Sequence, residues 1–279
     1  MINFTKMQGL GNDYVYINND IEKIKDRENF TKFVSDRNFG VGSDGCIFIE
    51  GSKEADIAFR IFNPDGSEAS MCGNGIRCVA KYVYEKGIVN KKHMTIETKS
   101  GVKDVEVYVK NSKVEKIRVN MGIPRFDIKT LGVEYKKEMI VNERILIEYE
   151  EFYFTTLSVG NLHTVIFVED VDEIDVEKYG SIIENMEMFK DRTNVEFVQI
   201  IDRENLKVRV WERGVGETLA CGTGATACVI AGYLNGVTEN IANVSLEGGV
   251  LEIVYNELTN EVFMIGEAKF VYEGKLYVE

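Results

Sequence analysis

Cys72-Gly-Asn-Gly75 and Cys221-Gly-Thr-Gly224 repeat one pattern, a thiol followed by two glycines around a polar residue. Each run leads into a segment rich in helix formers, 74–86 and 223–235, so each thiol is expected to open a helix. A helix N-terminus presents unpaired N–H groups and partial positive charge. Both favour a thiolate, and the expectation is that each cysteine pKa falls below its free value. The same N–H groups hold a carboxylate, and the glycines let a ligand approach the backbone closely. Each run therefore offers a proton-transfer group beside an anion cradle. Two such units aimed at one substrate could invert a carbon centre. One thiolate would take a proton from one face while the other thiol delivers a proton to the opposite face. Fixed N–H donors would hold the charge that gathers on the carboxylate, and the two titrations would be coupled.

The other cysteines read differently. Cys46, Cys78 and Cys228 lie in apolar runs and fit small buried hydrophobes. A reversible disulfide between Cys72 and Cys221, in a redox or ligand-binding protein without turnover, is the second reading. It leaves the doubled anion cradle without a purpose. Gly40-Val-Gly-Ser-Asp-Gly45 matches a dinucleotide fingerprint, but it follows a helix-like stretch (28–36) and precedes a strand, the reverse of the required order. Gly222-Thr-Gly-Ala-Thr-Ala227 has its twin at Gly73, which favours a paired substrate cradle over NAD. No cofactor is expected.

The elements that must position these residues come in duplicate. Arg60-Ile-Phe-Asn-Pro-Asp-Gly-Ser-Glu68 and Arg209-Val-Trp-Glu-Arg-Gly-Val-Gly-Glu217 stand 149 positions apart, as do the two cysteines. The same offset relates Gly11-Asn12 to Gly160-Asn161, Tyr84 to Tyr233 and Gly87 to Gly236. The period is domain-sized, far above that of solenoid repeats, and indicates two copies of one α/β unit. Segments 13–18, 46–50, 55–63, 195–201 and 206–212 read as strands, and 102–121 and 250–278 as hairpins or meanders. The helices 74–86 and 223–235 close at Gly87 and Gly236. A further helix is expected near 177–188, and the Pro124-containing stretch 122–138 reads as the crossing between copies.

Composition narrows the function classes. There are 46 acidic against 33 basic side chains, a formal charge of -13, which disfavours nucleic acid or an anionic membrane as partner. Hydrophobic residues make up 44%, enough for a packed core, and no apolar run is long enough for a bilayer. The N-terminus lacks the pattern of a secretory signal. Five cysteines without a CxxC pair, and only two histidines, His93 and His163, speak against a disulfide framework or a zinc cluster. His93 sits in a Lys-rich stretch that reads as solvated. The reading is a reduced, cytoplasmic, acidic protein with no metal.

Asn63-Pro-Asp-Gly-Ser-Glu68, Met71-Cys-Gly-Asn-Gly-Ile-Arg77 and Trp211-Glu-Arg-Gly-Val-Gly-Glu-Thr-Leu-Ala-Cys-Gly-Thr-Gly224 closely resemble the diaminopimelate epimerase family. So do Gly9-Leu-Gly-Asn-Asp13, Gly160-Asn-Leu-His163 and Arg192-Thr-Asn-Val195, and the resemblance spans nearly the whole chain. It implies a pyridoxal-independent isomerase interconverting LL- and meso-diaminopimelate for lysine and peptidoglycan synthesis, commonly a homodimer. The implied fold is α/β (α+β), with two pseudo-symmetric domains, each a mostly antiparallel sheet wrapped around a central helix. The domains would be 1–119 plus 267–279, and 120–266.

Carried over by this resemblance, Cys72 and Cys221 are the acid/base thiols. Gly73, Asn74, Gly222 and Thr223 hold the reacting carboxylate, and Asn12 lies near the reacting amino group. Asn63, Asn161, Asn194 and Arg213 bind the far end of the substrate and Glu212 its ammonium, while His163 and Glu212 tune the thiols. A zwitterion with two amino-acid ends needs this mix of cation, carboxylate and amides. Turn chemistry is the competing reading for each asparagine, and a solvated loop pair for Glu212-Arg213. The sequence departs from the usual pattern at Ser43, Cys46, Leu162 and Thr226. Histidine or a lanthionine-like amino acid is the alternative substrate on the same scaffold.

Overall fold

Strand burial shows which sheet faces are covered. Ile241–Leu246 alternates exposed and buried residues along its whole length, as a strand with one wet face does. Cys46–Glu50 and the first half of Asn194–Asp202 are buried on both sides, the pattern of strands sandwiched between helices. The computed structural model describes residues 1–277; Val278 and Glu279, which the sequence reading placed in the last strand segment and the first domain, lie outside the described residues.

The chain divides into two units, Met1–Val119 with Gly266–Glu279, and Asn120–Ile265. Unit 1 runs through β1 (Ile2–Gly9), β2 (Asn12–Asn18), α1 (Asn19–Glu22), α2 (Arg27–Ser35), β3 (Cys46–Glu50), β4 (Ile57–Phe62), β5 (Glu68–Ala69), α3 (Gly73–Glu85), β6 (His93–Thr98), β7 (Gly101–Lys110) and β8 (Lys113–Gly122). Unit 2 contains β9 (Ile140–Ile147), β10 (Glu150–Ser158), β11 (Leu162–Val168), α4 (Val176–Glu184), β12 (Asn194–Asp202), β13 (Asn205–Glu212), β14 (Gly216–Thr218), α5 (Gly222–Leu234), β15 (Ile241–Leu246), β16 (Gly249–Asn256) and β17 (Glu261–Gly266). The last strand, β18 (Lys269–Leu276), pairs antiparallel with β1 in unit 1. The fold is mixed α/β, dominated by sheet.

Unit 1 is organised around α3. Eleven of its residues, Gly73 to Val83, are buried, and the helix packs on β1, β2, β6 and β7. β2 and β3 pair in parallel across the α2 crossover. Their side chains divide by parity. Val15, Ile17, Cys46 and Phe48 pack with Phe30 and Val34 of α2, while Ile47 points the other way and reaches Gly75 of α3.

Unit 2 repeats this plan around α5, a helix without charged residues that packs on β10, β11, β12, β15 and β16. β11 and β12 pair in parallel across α4. Ile166, Val195 and Phe197 pack with Val176 and Ile183 of α4; Glu196, between them in sequence, reaches Gly224 of α5. Helix α4 is shorter than the expected 177–188. It ends at Glu184, whose carboxylate accepts from Trp211 Nε1 (2.6 Å), Arg192 Nη1 (2.8 Å) and the backbone N–H of Gly214 (2.9 Å).

Candidate active site

Both cysteines are helix N-caps. Cys72 (φ −136°, ψ 121°) precedes α3, and its Sγ accepts from Gly75 N at 3.3 Å. Cys221 (φ −120°, ψ 113°) precedes α5, and its Sγ accepts from Gly224 N at 3.4 Å. The extended backbone turns each thiol over the first helical turn, where the role usually falls to Ser or Asp.

Around Cys72, unit 1 assembles three of the expected residues. Asn12 opens β2 after a two-residue turn in which Leu10 (φ 56°) and Gly11 (φ 84°) both have positive φ, the requirement of the tight hairpin turn. Its Oδ1 lies 3.3 Å from Cys72 Sγ and 3.5 Å from Asn74 Nδ2. Gly9 lets β1 lie against α3, since a Cβ there would stand 3.2 Å from the Asn74 carbonyl oxygen. Two neighbours escaped the sequence reading. The buried Tyr14 side chain stands near Cys72 and Asn12, and burial pushes its pKa well up. The fully buried Arg77 donates to Gly73 O (3.1 Å), Glu267 O (3.1 Å) and Asn74 Oδ1 (2.9 Å), with burial pulling its pKa down. Asn63 holds a turn: its Nδ2 donates to Ser67 Oγ at 3.0 Å.

Cys221 corrects one expectation. Its pKa is raised well above the ordinary thiol value, first by burial and then by the carboxylates of Glu212 and Glu196. The N–H of Gly224 pulls the other way and loses, because one amide dipole is weaker than desolvation plus two nearby negative charges. Thr223 Oγ1 lies 3.4 Å from the sulfur. Glu212, at the end of β13, is held by Thr218 Oγ1 (2.6 Å) and lies close enough to Cys221 for the two to interact electrostatically; burial raises its own pKa.

The remaining unit 2 residues form two groups. His163 is fully buried, with Nδ1 2.7 Å from Glu196 Oε1 and Nε2 2.9 Å from Asn161 Oδ1. Glu196, also fully buried, was not anticipated; a glutamate in the apolar run Val195-Glu-Phe-Val198 is the signal that could have found it. Asn194 donates to Leu162 O (2.7 Å) and accepts from Arg213 N (3.0 Å), so its amide is engaged at both ends. The exposed Arg213 donates to Asp191 O at 2.7 Å. Cys46, Cys78 and Cys228 are wholly buried and free. Among the described residues, no three His, Cys, Asp or Glu side chains cluster as a metal site would require.

The 149-residue offset extends to these neighbourhoods. Asn12 corresponds to Asn161, Tyr14 to His163, Ile47 to Glu196, Asn74 to Thr223 and Arg77 to Thr226. A family model described as diaminopimelate epimerase matches residues 4–126 and 155–271. The chain belongs to the diaminopimelate epimerase family. It is 48% identical to the diaminopimelate epimerase of Acetivibrio thermocellus, over 98% of each chain. The enzyme of that name from Methanococcus maripaludis is 47% identical, over 98% of this chain and 99% of its own. The family is one of isomerases acting on a small amino acid. Among solved structures, a probable proline racemase from Agrobacterium radiobacter superposes with a TM-score of 0.72 at 14% identity, covering 100% of this chain and 94% of that one. A phenazine biosynthesis protein of the PhzF family from Bacillus anthracis gives 0.70 at 18% identity, with 99% of each chain covered. These two share the fold. No described helix is long and apolar enough to cross a membrane.

Proposed function

We propose that the protein epimerises diaminopimelate between its LL and meso forms, with Cys72 and Cys221 as acid and base on opposite faces of one α-carbon. The observation that carries this reading is the pair of N-capping thiols, each set over the first turn of its unit's central helix with a glycine three residues on. In this reading the two units are two domains copied from one.

The reaction runs as a proton relay through the substrate. A thiolate removes the α-proton, electron density moves into the carboxylate, and the first N–H groups of α3 and α5, at Gly73, Asn74, Gly222 and Thr223, hold that charge. The opposite thiol then protonates the carbon from the other face. For the reverse direction the thiols exchange roles, so their apparent pKa values belong to the pair. The high pKa of free Cys221 makes it a strong base once deprotonated, and Glu212 is placed to accept its proton. Asn12 faces the reacting amino group. Asn63, Asn161, Asn194 and Arg213 receive the far amino-acid end, and His163 and Glu212 adjust the thiols. The reading includes no cofactor, a cytoplasmic enzyme and a homodimer, serving lysine and peptidoglycan precursor synthesis.

The test is conversion of LL-diaminopimelate by the purified protein without added pyridoxal phosphate, with histidine in parallel. The account expects kcat/KM on diaminopimelate to exceed that on histidine by several orders of magnitude, since the Glu212 and Arg213 interactions need a second amino-acid end. Comparable turnover of histidine, or none of diaminopimelate, would contradict it.

A further inference from the structure

We infer that Asp44 is a positioning residue for Cys72: through Asn12 it holds an acceptor oxygen against the thiol and so favours the proton-carrying, acid form of this cysteine. The inference rests on reading Cys72 as an acid/base group.

The oxygen and nitrogen of a carboxamide are told apart only by their partners. Here a short chain of amides is closed at both ends by groups that leave no choice. At one end stands the Asp44 carboxylate, which accepts and cannot donate. Its Oδ2 lies 2.9 Å from Asn12 Nδ2 and 3.0 Å from Asp13 N, while Oδ1 takes Arg37 Nη2 at 3.0 Å. At the other end stands the Arg77 guanidinium, which donates and cannot accept. Its Nη2 lies 2.9 Å from Asn74 Oδ1. Arg77 therefore turns Asn74 so that Nδ2 faces Asn12, and Asp44 turns Asn12 so that Oδ1 faces both Asn74 Nδ2 (3.5 Å) and Cys72 Sγ (3.3 Å). The two ends fix the same direction independently. An oxygen with only lone pairs to offer meets a sulfur favourably when the sulfur carries a proton.

This bias works against the others at the site. The Gly75 N–H and the buried Arg77 charge favour a thiolate, and the Tyr14 side chain stands near both Cys72 and Asn12. Tyr16 and Cys78 are also within electrostatic reach of the sulfur. Among the described residues, the corresponding positions of unit 2 carry no such amide chain. The residues 149 positions beyond Asp44, Asn74 and Arg77 are Thr193, Thr223 and Thr226, and Asn161 Oδ1 is taken by His163. The amide chain is thus a device of the first unit alone.

Site-resolved alkylation of Cys72 by iodoacetamide, followed against pH without substrate, tests this. Asp44→Ala removes both the charge and the acceptor; Asp44→Asn removes the charge and keeps an acceptor oxygen. The expected result is a Cys72 midpoint lower in Asp44→Ala than in Asp44→Asn by about half a pH unit or more, because Asn12 is then free to turn its N–H₂ toward the sulfur. Equal shifts in the two variants would reduce the effect to plain charge and overturn the proposal, as would an unmoved midpoint in both. A change in plateau rate alone would report altered access, and that too would overturn it. Should Asp44→Ala fail to fold, Asn12→Ala removes the acceptor directly and must lower the midpoint likewise. Because no substrate is present, the outcome is independent of whether diaminopimelate is turned over.

Discussion

His163 and Glu196 are joined side chain to side chain at 2.7 Å, and neither exposes any surface. Glu196 Oε2 has no hydrogen-bond partner, so one oxygen carries the pair. Removing one member of such a pair strands the other, which typically costs about 3–5 kcal/mol. Glu196→Ala is therefore expected to lower stability by that order in a urea titration. Glu196→Gln keeps a hydrogen bond and removes a charge that raises the Cys221 pKa. Its expected signature is alkylation of Cys221 beginning at lower pH than in the parent protein. An unchanged Cys221 profile in Glu196→Gln would show that the carboxylate does not act on the thiol.

The two cradle glycines are under different constraints. A Cβ at Gly224 would stand 2.7 Å from Glu196 Oε1, whose carboxylate is anchored by His163. A Cβ at Gly75 would meet Ile47 Cδ1 at 2.8 Å, the free end of a side chain that can rotate away. Alanine gains up to ~1 kcal/mol of helix propensity at either position, while overpacking against an immovable group costs about 1–3 kcal/mol. Gly224→Ala should therefore melt several degrees below Gly75→Ala in calorimetry. The reverse order would mean that Glu196 can move, and that its bond to His163 is weak.

Buried thiols set a stability limit at high pH. Burial pushes Cys78 up to about 11, and Cys46, Cys221 and Cys228 are raised as well. In the unfolded chain these groups ionise near 9.0. The folded state holds their protons longer, so the contribution is intact below that value and is lost as pH rises from there toward 11. Stability in urea is expected to fall between pH 8.5 and 10.5, with a slope of up to about 1.4 kcal/mol per pH unit for each thiol. The slope for Cys78→Ala should be shallower. Parallel curves for the two proteins would show that the Cys78 thiol titrates alike in both states.

What was legible in the sequence was mainly local. Helices expected at 74–86 and 223–235 form at Gly73–Glu85 and Gly222–Leu234, because their start and stop rest on neighbouring residues, a capping thiol and the positive-φ glycines Gly87 and Gly236. The end of α4 at Glu184 depends on Trp211, Arg192 and Gly214, which are remote in sequence, and the reading carried the helix too far. The direction of the Cys221 shift was missed for the same reason: the helix terminus is visible in sequence, whereas β12 and β13 must fold to bring Glu196 and Glu212 to it. Arg77 reads as an ordinary helical cation until α3 is buried on nearly every side. Tyr14 was within reach, since the 149-residue register that aligns Asn12 with Asn161 also aligns Tyr14 with His163.

The central claim, two thiols acting from opposite faces, is tested most directly by the fate of deuterium at early times in D₂O. With LL-diaminopimelate as substrate, the abstracted proton stays on one sulfur while the other sulfur delivers solvent deuterium. The account predicts meso product carrying one deuterium at the inverted α-carbon, while recovered LL substrate stays unlabelled. Label appearing in recovered substrate as fast as in product would mean that one base returns the proton to the same face, and would contradict the account.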